Sequence, residues 1–206
     1  MRNVITTLDL PESGEFKVPR GSIVTPLARD LAASRGIRIV EVADDQLPAA
    51  PADKRIAIGS DHGGFRLKET LKPVLHSLGL DVRDVGVHDE RPSDYPDIAL
   101  EVAELVASGA VARGIVIDGA GIGSSIAANK VPGVRAALCY DKASARNSRE
   151  HNDSNVLTLG ARLLTASQAE EVLRTWIGTP FAGGRHQARI QKITAIEQRY
   201  FRKGTS

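Results

Sequence analysis

The sequence holds a single cysteine, Cys139. No internal disulfide can form, and a disulfide-stapled secreted fold is excluded. Aromatic residues make up only 4% of the 206 residues, too few for a stacking platform that would hold nucleic-acid bases. No apolar run approaches the ~20 residues of a membrane span. Neither sign of charge dominates: 27 Lys and Arg stand against 25 Asp and Glu. The net charge of +2 is too balanced for a nucleic-acid footprint. The opening residues, MRNVITTLDLPESGEF, lack the basic start and apolar stretch of a secretory signal. The five histidines and the cysteine show no metal-ligand spacing. These absences predict a cytoplasmic protein with no membrane partner, no nucleic-acid partner and no metal.

What is present suffices for a core. Hydrophobic residues make up 42% and charged residues 25%, the balance of an ordinary globular chain. Residues 43–54 hold two prolines, four alanines and three aspartates without apolar periodicity, which reads as a linker. It divides a small extension, residues 1–42, from a body at 55–206. In the extension, EFKVPRGSIV and IRIVEV look like strands. Thr25 as N-cap, Pro26 at the first position and Gly36 after the end punctuate a helix between them. Leu27, Leu31 and Ala32 would form its narrow apolar face.

The body alternates strand-like and helix-like stretches. RIAIG (55–59), RGIVID (113–118), VRAALCY (134–140) and NVLTLG (155–160) read as strands, with a shorter one at 80–86. Leu67, Leu71, Val74, Leu75 and Leu78 recur at helical spacing across 64–79, with Pro73 inside the pattern, expected to kink it or cost a hydrogen bond. Ile98, Val102, Leu105 and Val106 mark a helix over 96–108. Further helices fit from about 122, across 141–150, and over 165–178 and 186–202. Thr165 and Gln168 form a capping box for the third of these. The fold class is α/β: a Rossmann-like parallel sheet with helices on both faces, plus the small extension. IAI, IVI and VLTL suit strands buried on both sides.

In such sheets chemistry gathers just beyond the carboxyl ends of the strands. Three segments lie there: Ser60-Asp61-His62-Gly63-Gly64, Asp118-Gly119-Ala120-Gly121-Ile122-Gly123-Ser124, and Tyr140-Asp141. The glycine loop follows a strand and opens a helix, a place for phosphate or an enolate-like oxyanion; it also suits a plain tight turn. Its spacing is neither the dinucleotide nor the Walker pattern. Asp118 is placed to take a proton or to cap the helix, and Asp61-His62 to bind sugar hydroxyls and assist proton movement, or to bond locally. Arg185 and Arg189, four apart, suit a phosphate dianion or a solvated face. Cys139 and Trp176 read as core.

Read together, the strings IAIGSDHGGFRLK, SDYPDIA, GAGIGSSIAANKVPGVRAAL, SREHNDSNVLTLGAR and GGRHQARIQKITAIEQR resemble the ribose 5-phosphate isomerase B family and its sugar-phosphate isomerase relatives. The resemblance covers about residues 55–199. It implies a cofactor-independent aldose–ketose isomerase, with ribose 5-phosphate and ribulose 5-phosphate as the foremost pair. A four- or six-carbon sugar phosphate, or a silent sugar-phosphate-binding or scaffolding protein, is the alternative. It also implies a homodimer or dimer of dimers with shared active sites. Asp61 and His62 match substrate-contacting residues, Tyr95 one near the sugar, and Gly119, Gly121 and Gly123 the enediolate cradle that continues to Ser124. His151 matches the ring-opening residue, with Asn152 beside it, and the Asp61-His62 pair is expected to assist ring opening as a further catalytic group. Arg162, Arg185, His186 and Arg189 match the groups around the phosphate. The resemblance further implies that the His151–Asn152 segment and the C-terminal arginines come from different subunits.

One departure stands out. The family draws its base from a cysteine directly before the glycine loop or from a glutamate on the helix after it. These positions are Asp118 and Ser124 here, and Asp118 is expected to be the base. The extension's SIVTPLARDLAASRGIRIVEV resembles a segment of some bacterial microcompartment enzymes. That implies a shell or cargo partner and a place inside a microcompartment, the alternative being a dimer-stabilising arm.

Overall fold

The structure is a computed structural model that describes residues 4–5, 10, 14–42 and 54–201. Apart from Lys54, the expected linker lies outside the described residues. The chain divides into two compact units, Met1–Pro51 and Ala52–Ser206.

In the first unit β1 (Val4–Ile5) pairs in parallel with β3 (Ile23–Val24), and β2 (Glu15–Pro19) with β4 (Arg38–Val42). Helix α1 (Pro26–Ser34) starts at the expected cap, where Thr25 Oγ1 accepts the Ala28 N–H at 3.3 Å. Its buried face differs from expectation. Ala28 and Ala32, one turn apart, are buried with Leu10 and Ile37, whereas Leu27 is 69% exposed. One residue turns a helix by about 100°, so Leu27 is carried out to solvent beside the alanine seam.

The second unit is a five-stranded parallel sheet. Its strands are β5 (Arg55–Ser60), β6 (Asp81–Gly86), β7 (Arg113–Asp118), β8 (Ala136–Leu138) and β9 (Val156–Gly160), in the order β6-β5-β7-β9-β8. Parallel neighbours need crossovers, and helices supply them on both faces, the doubly wound Rossmann-like arrangement. The side-chain period of two splits each central strand. Ile56, Ile58, Ile115, Ile117, Leu157 and Leu159 face α2 (Phe65–Ser77) and α6 (Ala166–Gly178), with Trp176 fully buried among them. Ala57, Val116 and Val156 face α3 (Tyr95–Ala107) and α4 (Ile122–Ala128). The remaining helices are α5 (Lys142–Asn152) and α7 (Arg185–Phe201).

One local expectation is corrected. The edge strand β8 keeps only three of the seven residues of VRAALCY. Before it, Val134 N–H turns back to Val131 O and Arg135 N–H donates to the Asn155 side chain, so the ladder starts late. Helix α2 runs through Pro73 as one element. The capping box of Thr165 and Gln168 is present, and Cys139 is buried, its thiol pushed up by that burial against the partial opposition of a Ser148 hydrogen bond.

A buried ion pair fastens α2 to β6. Lys68 is fully buried, and its Nζ reaches Asp84 Oδ1 at 2.6 Å. Lys72 adds a contact to Asp84 Oδ2 at 2.7 Å, and the Gly86 N–H donates to Asp84 at 3.0 Å. Burial opposes the Asp84 charge, but the hydrogen bonds from Lys68, Lys72 and Gly86 outweigh it and hold the carboxyl at about 2, below its usual 3.8. The folded state therefore favours the ionised group, and this stability is present above the unfolded value and lost as pH falls through the folded one. Asp84→Asn, which leaves Glu69 at 3.2 Å as the carboxylate partner of Lys68, is expected to cost about 1.5–3 kcal/mol at neutral pH. In urea titrations the gap between variant and wild type should narrow as pH drops from 3.8 toward 2; a gap independent of pH would contradict the pairing.

Candidate active site

The strand order reverses about β5 and β7, and the loops leaving these two strands meet at their carboxyl ends. After β5, the Asp61 N–H is stitched to Ile117 O of β7 at 3.1 Å. Asp61 Oδ1 accepts the Gly64 N–H at 2.9 Å, which closes the turn into α2. Ser93, ahead of α3, grips His62 twice: its Oγ accepts the His62 N–H at 3.0 Å, and its backbone lies 3.2 Å from His62 Nδ1. That contact occupies Nδ1 and leaves Nε2 as the working end of the ring.

After β7 the loop turns on Gly121, whose φ of 78° is left-handed. A side chain there would also collide with Leu138 and the backbone of Leu159. Gly123 lies under the Tyr95 ring, where an added Cβ would come 2.5 Å from ring carbons. From β9, Arg162 N–H donates to Gly119 O at 3.0 Å, and its guanidinium lies over Gly119. Arg162 makes no ion pair or hydrogen bond through its side chain among the described residues.

These parts surround one cavity of about 440 Å³. Of the expected site residues, Asp61, His62, Tyr95, Asp118, Gly119, Gly123 and Arg162 line it, and Gly63, Ala120 and Leu163 join them. Ser93 was not singled out from the sequence. It lies within the matched string SDYPDIA, but its partner is 31 residues away and no local spacing links them.

Asp118, the expected base, lies on the cavity with donors around its carboxylate. It is 4% exposed. Oδ1 accepts the N–H of Ala120 at 2.7 Å and also that of Gly121. Oδ2 accepts the N–H of Ser124 at 3.0 Å and the Ser124 hydroxyl at 2.5 Å. The carboxylate is the tether of its own loop. Ser124 and Gly121, expected to touch substrate, are absent from the cavity lining. Ser124 is fully buried beneath the loop, and Gly121 shapes the turn.

The remaining expected residues form a second group. His151, on α5, stacks on His186 of α7 with centroids 4.1 Å apart and planes 6° from parallel. Asn147 Nδ2 sits 2.8 Å from His151 Nδ1. Arg185 Nε donates to His186 Nε2 at 3.4 Å, which puts the His186 proton on Nδ1, a buried atom without a partner among the described residues. Burial first, then the charges of His151, Arg185 and Arg189, push the His186 imidazole below the usual histidine value, against a smaller opposing effect of Glu150. So the expected division of His151 from the C-terminal residues is corrected: His151 and His186 touch within one chain. None of His151, Asn152, Arg185, His186 and Arg189 lines the Asp118 cavity. Asn152 lines a different, mainly apolar cavity of about 500 Å³ with Ile193, Ile196 and Tyr200 of α7.

Comparison with known proteins places this geometry. Residues 56–193 match the ribose/galactose isomerase family. The chain is 47% identical over 146 residues to ribose-5-phosphate isomerase B of Escherichia coli K12, covering 71% of this chain and 98% of that one. It is 40% identical over 144 residues to D-erythrulose-4-phosphate isomerase of Pectobacterium atrosepticum, covering 69% and 94%. The solved ribose-5-phosphate isomerase B of Clostridium thermocellum superposes with a TM-score of 0.70 at 51% identity, over 71% of this chain and 99% of that one. The Ala52–Ser206 unit carries the match, and on it the chain belongs to the ribose/galactose isomerase family.

Proposed function

We propose that this protein interconverts the aldose and ketose forms of a phosphorylated sugar, with ribose 5-phosphate and ribulose 5-phosphate as its pair. The observation that carries this reading is the cavity between β5 and β7. It combines carboxylate, imidazole, loop amides and a guanidinium unpaired among the described residues in a space suited to a small ligand. Family membership and the names of the Escherichia coli and Clostridium relatives support the same pair. The Pectobacterium relative makes the four-carbon phosphate the competitor to test beside it.

The reaction moves a proton from carbon 2 to carbon 1 through an enediolate. The developing oxyanion needs donors that are not already engaged. Asp118 takes the amides of Ala120, Gly121 and Ser124 but not those of Gly119 and Gly123, which line the cavity. These two amides are assigned to the sugar oxygens. His62 Nε2 serves a sugar hydroxyl, Tyr95 packs against the chain of the sugar, and Arg162 offers its fork to the phosphate.

The α5–α7 group has the chemistry to finish the site but lies outside it. In this reading a second copy of the chain brings its His151, Asn152, Arg185, His186 and Arg189 to the open side of the cavity, for ring opening and phosphate binding. The exposed Ile193, Ile196 and Tyr200 on α7 support such a meeting of copies. The 1–42 unit, with its own small core, is assigned to assembly with a shell or cargo partner. Deleting residues 1–50 should then leave turnover intact and abolish that association.

Ribose 5-phosphate, erythrose 4-phosphate and allose 6-phosphate, each incubated with the protein in deuterated water, separate the substrates. Loss of the carbon 2 proton signal with appearance of ketose is expected first for the pentose; exchange with none of them would leave a binding protein. Arg162→Met should raise KM about 10- to 100-fold with a smaller change in kcat, the loss of one charged hydrogen-bonding partner. Asp61→Asn and His151→Ala chains, each inactive alone, should recover about a quarter of wild-type activity when co-refolded, because a mixed dimer rebuilds one intact site of two. A mixture as silent as its parents would contradict the shared site.

A further inference from the structure

We propose that Asp61, rather than Asp118, is the carboxylate that carries the proton between carbons 1 and 2. This rests on the isomerase reading above. A carboxylate offers about four lone-pair sites. Asp118 has four donors on them: three amides and one hydroxyl, all from its own loop. A proton from carbon must either displace one of these donors, three of which are buried and one, Ala120, part-buried, or turn the Ser124 hydroxyl from donor to acceptor.

The two departures from the family pattern explain each other. Aspartate stands at the position of the cysteine, serine at that of the glutamate, and here they are partners in one hydrogen bond of 2.5 Å. Together they convert two base positions into a lock for the glycine loop.

Asp61 is the other carboxylate on the cavity. Its Oδ1 receives the Gly64 N–H, and its Oδ2 accepts no hydrogen bond among the described residues. Its backbone is fixed at both ends, by Asp61 N–H to Ile117 O and Gly64 N–H to Asp61 O, each 3.1 Å. Gly63 keeps the approach clear. The point where a Gly63 Cβ would stand is 3.3 Å from Asp61 Oδ1, 3.9 Å from Oδ2 and 3.8 Å from the Gly119 nitrogen. One small space is thus bordered by a carboxylate with a free oxygen and by a donor for an oxyanion, the pairing that enolisation requires.

The step balances without a further reactant. Asp61 takes the proton from carbon 2 of the open-chain aldose. The C–H pair becomes the double bond between carbons 1 and 2, and the carbonyl π pair goes to oxygen 1, held by the loop amides. A proton passes from oxygen 2 to oxygen 1. The oxygen 2 pair re-forms a carbonyl as carbon 1 takes its proton from the Asp61 carboxylic acid. The product is the ketose, and Asp61 is again ionised.

Ribulose 5-phosphate has no ring to open, so exchange of its carbon 1 proton with deuterated water reads the base alone. Wild type should exchange. Asp61→Asn should lose at least about 100-fold of that rate while binding ribulose 5-phosphate within about fivefold by calorimetry. In Asp61→Ala, added formate should restore part of the exchange. Ser124→Ala, which removes one donor from Asp118 and leaves its three amides, should exchange within about tenfold of wild type once shown to be folded by circular dichroism. Near-normal exchange by Asp61→Asn, with only ribose consumption impaired, would make Asp61 a ring-opening group and overturn the proposal. Failure of formate, with exchange lost instead in a folded, sugar-binding Asp118→Asn, would return the base to Asp118. An inactive wild type would overturn the isomerase reading itself, which is a separate result.

Discussion

A loop that must present backbone N–H groups to a ligand carries a cost: those dipoles also seek acceptors of their own, and a flexible glycine run satisfies them in many ways. Asp118 resolves this by binding half of the loop so that the other half stays available. Its two oxygens gather Ala120, Gly121 and both donors of Ser124. Gly119 and Gly123 remain on the cavity side. The rest of the site is organised around that fixed loop. Tyr95 packs on Gly123, Arg162 lies on Gly119, and the Gly63 turn faces the Gly119 amide. The interaction is preorganisation in a literal sense, because the donors hold their positions before any charge develops.

The tether also divides labour between two carboxylates that the sequence presents as equals. One is closed by its neighbours and serves architecture; the other keeps an oxygen open and serves chemistry. The same separation recurs on a larger scale. The strand ends build a cavity with a base, an imidazole and oxyanion donors, while α5 and α7 hold the stacked histidines and arginines apart from it. A single chain thus holds the two groups apart, and the proposed association of copies is what would join them.

Much of this was legible in the residues. Ile-Ala-Ile and Ile-Val-Ile read as two-faced strands because parallel sheets bury both sides, and their side chains do divide between the two cores. The loops at strand ends pointed to the cavity for the same topological reason. What spacing could not give was closure in space. The Ser93 grip on His62 spans 31 residues, and His151 meets His186 from 35 positions away. The role of Asp118 depends on a left-handed Gly121 that curls the chain back over the carboxylate, a backbone detail that residue type permits but does not require. In the extension, Leu27 looked like core, yet the helix seam fell on its neighbour Ala28. An alanine that lets a helix lie close competes well with a larger side chain one step round.

The loop lock is open to direct measurement. Amide hydrogen exchange followed by NMR on the ligand-free protein reports each of Ala120, Gly121 and Ser124 separately. If Asp118 holds them, these three amides exchange slowly, near the rates of the β7 ladder, and the Gly119 amide exchanges fast. Rapid exchange at all of them would mean that the Asp118 carboxylate stands free in the cavity, and the division between tether and base would fall.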